Sequence, residues 1–155
     1  MCLPPRRHRR YSRVLDLARQ EATRLGAPAV GTAHLVLGLV REDRECGAGL
    51  LAGVDPDALR ALLPWTPGPP AAPPALSVRA AVAVGVAQRL ADRRGAPDLE
   101  VEDVLAAVLA APDCAGVAVL ERLGVDVGDL WCRAVAELDR VRPPRRLVLG
   151  AVPGQ

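Results

Sequence analysis

The tripeptide Gly26-Ala27-Pro28 returns as Gly95-Ala96-Pro97, 69 residues further on, and this repetition constrains the fold more than any other feature of the chain. At the same offset Arg10 matches Arg79, Ala18 matches Ala87, Ala22 matches Ala91, Arg24 matches Arg93 and Leu51 matches Leu120. Leu35 and Leu39 face Val104 and Val108, and the run LVLGLV answers to VLAAVL. The matches fall where a helical unit needs its turn and its core. Self-similarity at a fixed offset is the mark of repeated structural units. We therefore expect an all-α, pseudo-twofold tandem repeat of two four-helix units, about eight helices in all.

Proline marks the joint. In residues 64–76, PWTPGPPAAPPAL, six of thirteen residues are proline, which excludes helix and central strand and favours extended polyproline geometry. The boundaries expected are a basic N-terminal tail over 1–10, a first repeat over 11–63, a linker over 64–76, a second repeat over 77–141 and a C-terminal tail over 142–155. The two repeats pack as one domain.

Within the first unit, Val14, Leu17, Ala18, Ala22 and Leu25 share one helical face, and Gly26 with Pro28 ends the helix. A second helix opens near Thr32 as N-cap, and its LVLGLV run is apolar on nearly every side, which places it in the middle of a bundle. Shorter helices are read over 46–52 and 56–63, the latter opened by Asp55 with Pro56 in its first turn. In the second unit Ser77 caps a helix over 78–94, and further helices cover about 101–111 and 113–123. The last helix starts after Asp126 and carries Leu130, Ala134, Leu138 and Val141 at helical spacing. Trp131 is expected to anchor the packing between helices, and Cys132 to be buried.

Composition removes whole classes of chemistry. The chain has no Lys, Ile, Asn or Phe, and all 20 basic residues are Arg. Without Lys there is no phosphate-binding G-x-x-x-x-G-K-[ST] loop, no Schiff base and no lysine general base. With 2% aromatics there is little to stack on nucleic-acid bases. Net charge is +2, and the arginines gathered at the two ends read as solvated tails rather than a nucleic-acid surface. Neither a secretory signal nor an apolar run long enough to span a membrane is present, so the expected location is the cytoplasm. Cys2, Cys46, Cys114 and Cys132 lie far apart and read as free thiols, and with only His8 and His34 beside them no metal site is expected.

The segment LARQEATRLGAPAVGTAHLVLGLVRE resembles the repeat of the Clp N-terminal domain, A-x-x-E-A-x-x-L-G-x-x-x-[IV]-G-T-E-H-[IL]-L-L-G-L-x-x-E. Ala18, Glu21, Ala22, Leu25, Gly26, Val30, Gly31, Thr32, His34, Leu35, Leu37, Gly38, Leu39 and Glu42 match it in register. The second unit keeps Arg79-Ala80 of the T-P-R-A opening, then Ala91, Gly95, Glu102, Leu105 and the closing VLERLGVD. The resemblance covers about residues 11–141. It implies a docking platform like that at the front of the ClpC and ClpA unfoldases, here without a motor. Its partners would be protein clients, adaptors or a Clp ATPase, with no cofactor.

In ClpC-like members each repeat offers an acidic pocket for phosphorylated arginine, built from the Glu of G-T-E-H and a Thr at the start of the repeat. A carboxylate takes the guanidinium as a fork, while a helix start takes the phosphate. In the first unit Ala33 stands at the Glu position and His8 at the Thr position. The second unit keeps Glu102, with Ser77 at the Thr position and Arg79 nearby, so the resemblance implies a binding site of Ser77, Arg79 and Glu102. Equally, Glu102 in the run Glu100–Asp103 reads as a solvated acidic first turn.

No catalytic residue is assigned. His34 reads as a structural hydrogen-bonder; a Cys46/His34 nucleophile and base would lack an orienting third group. Residues 41–45 read as solvated, charged surface. The alternative function is a fold repurposed as a small-molecule-binding protein or enzyme, in a biosynthetic or antibiotic-sequestering role. Its expected signature is a deep apolar cavity lined by polar groups such as His34, Tyr11 or Glu102.

Overall fold

The computed structural model describes residues 7–47, 49–67, 73–111 and 113–140, with the side chains of residues 7–9 outside the description. Both tails beyond these limits, the middle of the proline-rich joint and the side chain of His8 therefore lie outside the described residues. Seven helices are described: α1 (Arg7–Arg24), α2 (Thr32–Cys46), α3 (Pro56–Ala61), α4 (Val78–Arg93), α5 (Val101–Ala110), α6 (Ala115–Arg122) and α7 (Val127–Arg140).

The core forms around α2 and α5, whose apolar runs cover residues 35–40 and 104–110. Leu35, Val36, Leu37, Leu39 and Val40 are buried on α2, and α5 buries every residue from Val101 to Leu109. α1 packs along α2, while α4 and α7 pack along α5. Val14, Leu17, Ala18, Ala22 and Leu25 all turn inward, as the periodicity predicts. Gly38 lets α1 approach α2 closely, since a Cβ there would lie 2.6 Å from the Val14 carbonyl oxygen.

The turns are built from local chemistry. Gly26 and Gly95 both take φ of +67°, the left-handed conformation that closes a helix at low cost only with glycine. Ser77 Oγ accepts from the Ala80 N–H at 3.2 Å, and the Asp55 carboxylate accepts from the N–H groups of Asp57 and Ala58. Between the halves, residues 75–77 run beside Val30: the Val30 N–H donates to the Ala75 carbonyl at 2.8 Å and the Ser77 N–H to the Val30 carbonyl at 2.9 Å. This short parallel contact sets the start of α4 against the start of α2.

Several expectations are corrected. Of the helix expected over 46–52, the described residues beyond the end of α2 at Cys46 form bends and turns instead. Gly47, Gly49 and Gly53 weaken helix there, and the Asp43 carboxylate accepts from the N–H groups of Gly49 and Leu51, holding the loop folded back. Thr32 is not the cap of α2: Gly31 precedes the helix, and Thr32 Oγ1 accepts from the Gly116 N–H at 3.1 Å. Trp131 is 41% exposed and Cys132 is exposed, because the inward stripe of α7 is Leu130, Ala134 and Leu138. At about 100° per residue, the two positions after Leu130 rotate away from that stripe.

Candidate functional site

The three residues singled out by the sequence divide between two places. Ser77 and Arg79 lie at the start of α4, beside the start of α2. Glu102 lies in the first turn of α5, where it meets the start of α1. Arg10 Nε donates to Glu42 Oε1 at 2.7 Å, Nη2 to Glu42 Oε2 at 3.2 Å, and Nη1 to Glu102 Oε1 at 3.4 Å.

This cluster is interior. Glu42 and Glu102 are 1% and 5% exposed, and neither is the solvated surface group their sequence context implies. Two buried carboxylates share one guanidinium, which ties α1 to both α2 and α5. Burial works against the Arg10 charge, but the bond to Glu42 and the charges of Glu102 and Glu42 outweigh it and raise its pKa above the ordinary value. Glu102 therefore already holds a guanidinium from its own chain. A guanidinium arriving from outside would have to displace the Arg10 contact at Glu102, while Arg10 stays held by Glu42.

Glu21 is a second buried acid that unites elements. Arg60 of α3 grips it at 2.7 and 2.8 Å, and Arg41 of α2 donates to it at 2.9 Å. Burial pushes its pKa up, yet the bond to Arg60 and the charges of Arg60, Arg41 and Arg24 together hold it below the ordinary carboxylate value. Asp103 is fully buried, pairs with Arg94 and accepts the Glu100 N–H at 3.0 Å. His34 does the same for α2, its Nδ1 accepting the Gly31 N–H at 2.9 Å. Burial lowers the His34 pKa, opposed by the charge of Glu21, so the neutral, accepting form is favoured. His34 and Cys46 sit at opposite ends of α2, about 18 Å apart along its axis, so they form no nucleophile–base pair.

Among the described residues, a cleft with a mainly apolar lining and a volume of about 440 Å³ lies between α4, α5 and the starts of α2 and α6. Val78, Val82, Ala83 and Val86 form one wall, Ala107, Ala110 and Ala111 the other, and Thr32, Cys114 and Arg79 complete the lining. Its polar groups are already engaged. Thr32 Oγ1 holds the Gly116 N–H, and Cys114 Sγ lies 3.5 Å from the Val108 carbonyl and accepts the Val117 N–H at 3.4 Å. Arg79 is the one charged side chain in the lining; its Nη1 donates to the Asp113 carbonyl at 2.9 Å. Glu102, His34 and Tyr11 are not part of this lining. Val78 is 80% exposed and Val82 57% exposed, so the rim of the cleft presents bare apolar surface.

Arg10 and Glu42 are the residues whose importance sequence reasoning missed. Their signals were present, since Arg10 matches Arg79 at the 69-residue offset and Glu42 closes the repeat motif. Nothing local revealed that the two would meet.

No protein-family model and no curated protein sequence matches the chain. Solved structures do. The chain is similar to the N-terminal domain of the caseinolytic protease-associated chaperone ClpD from Arabidopsis thaliana, with a TM-score of 0.74 and 22% identity over 89% of this chain and 97% of that one. The Hsp104 N-terminal domain from Candida albicans follows the same path, with a TM-score of 0.69 and 12% identity over 85% of this chain and 91% of that one. A structure from work on a malarial protein secretion system matches with a TM-score of 0.66 and 14% identity, covering 88% and 97% of the two chains. The chain has the all-α fold of the Clp N-terminal domains.

Proposed function

We propose that this chain is a protein-docking module that engages clients, adaptors or a Clp unfoldase in regulated proteolysis. The observation that carries the reading is an open apolar cleft on a Clp N-terminal fold whose other polar clusters are internally satisfied.

The same reading treats the chain as two related units. It is supported by the matching φ of Gly26 and Gly95, and by the side chains of His34 and Asp103, each closing on the N–H three residues before it. The phosphoarginine role of Ser77, Arg79 and Glu102 receives less support, since Arg10 fills the carboxylate and the three residues have different neighbours.

The test is affinity capture from native lysate, read by mass spectrometry and repeated with purified Clp ATPase. Enrichment of a Clp subunit, adaptor or degradation client is expected. Failure of every Clp component to associate overturns the reading.

A further inference from the structure

We propose that the cleft beside α4 receives an apolar peptide segment that carries a carboxylate next to its apolar residues. This rests on the docking-module reading and names the chemistry of the partner. Three observations lead to it.

The first is the extent of the apolar surface. It does not stop inside the cleft: Val78 and Val82 stand exposed on its rim, and Ala81 and Gly85 continue an uncharged strip over the outer face of α4. Space beyond Gly85 is open, with nothing within 4 Å of where a Cβ would stand. A ligand matching this surface must lie in the cleft and also cross its rim, which an extended peptide does and a compact metabolite does not. The volume of about 440 Å³ falls in the range of built ligand sites.

The second is charge. The lining contains no acidic side chain, and Arg79 makes no ion pair among the described residues. Its bond to the Asp113 carbonyl holds the guanidinium at the cleft and leaves most of its donor fork unused. The third is the direction of α4: Arg79 stands in the first turn of a 16-residue helix, whose positive end adds to its field. An anionic group beside the apolar residues is therefore favoured, and a cationic one repelled.

The experiment uses the full chain and fluorescence anisotropy with three synthetic peptides. Each carries Leu-Val-Leu in a Gly/Ser background, followed by Glu, Gln or Arg. The Glu peptide is expected to bind most tightly and the Arg peptide about tenfold more weakly, with the Gln peptide between them. Val82→Asp should abolish binding of all three. Arg79→Ala should erase the difference between Glu and Gln while leaving apolar binding. Circular dichroism confirms folding, and both side chains are exposed enough for their variants to fold.

Equal affinity for the three peptides, no binding at all, or a Val82→Asp protein that binds like the wild type overturns the proposal. So does a dimer of the wild type that Val82→Asp converts to monomer, or binding that emerges only when residues 141–155 are removed, since the occupant is then a second copy or the chain's own end. The two readings fail separately. Clp capture that survives both variants without peptide binding removes the cleft assignment alone; peptide binding without Clp capture removes the Clp role alone.

Discussion

The starts of α2 and α5 use one local device for opposite ends. At each, a side chain in the first turn accepts the N–H three residues earlier: His34 for Gly31 and Asp103 for Glu100. The next position N-terminal to that side chain is Ala33 in one and Glu102 in the other. Where it is Glu102, Arg10 closes over it and Arg94 pairs with its neighbour Asp103, so the α5 start is sealed by ion pairs from within. The α2 start has no such acid, and the surface between it and α4 stays open and apolar. At the 69-residue offset Ala33 and Ala111 stand where the clasp has Glu102 and Glu42, so the loss of both carboxylates accompanies the open apolar surface.

The largest expected effect comes from opening the clasp. Arg10→Ala leaves Glu42 and Glu102 buried without their cation, and urea unfolding at pH 7 should show a loss of about 3–5 kcal/mol. Combining it with Glu42→Gln and Glu102→Gln should recover much of that loss, because neutral amides no longer need a counter-charge. If Arg10→Ala is as stable as wild type, the clasp is not what seals this end.

The two left-handed glycines sharpen the comparison. They share a φ of +67°, but a Cβ on Gly26 would lie 2.1 Å from the Thr66 carbonyl oxygen, whereas a Cβ on Gly95 meets nothing within 4 Å. Gly95→Ala should cost only the backbone term, about 1–2 kcal/mol. Gly26→Ala must also push the 64–67 segment away and should cost clearly more in the same measurement. Equal losses would mean that the bond from the Thr66 N–H to the Leu25 carbonyl, 2.9 Å long, is easily surrendered.

Smaller effects follow at the caps. Ser77→Ala removes the acceptor for the Ala80 N–H and should lower stability by about 1 kcal/mol. His34 gives the α2 start a pH dependence. Its folded pKa is lowered, so its contribution is complete above the unfolded value of about 6.5 and is lost as pH falls toward the folded one. Between about pH 7 and 5 the wild type should lose up to about 1 kcal/mol more than His34→Asn, whose amide oxygen accepts the Gly31 N–H without titrating. Parallel pH profiles for the two proteins would remove His34 from this role.

Much of this architecture was legible before any coordinates. The inward face of α1, the greasy middle helices, the Gly26 turn and the caps at Asp55 and Ser77 all follow from interactions spanning at most four residues. Such features are written in spacing and residue type. The reading failed where two local signals competed: three glycines and the Asp43 carboxylate overrode the apolar pattern of 46–52, and Thr32 turned from its own helix to Gly116. At Trp131, residue size suggested core, but helical rotation decided exposure.

The amino-acid sequence by itself determined which segments became helices, where they stop and which faces are apolar, because those depend on neighbours along the chain. Only the tertiary structure decided that Glu42 and Glu102 would share Arg10, 32 and 92 residues away, and that Arg79 would face an acid-free cleft. Charge pairing and surface shape arise between elements distant in the chain, and their partners are settled only when the helices cross.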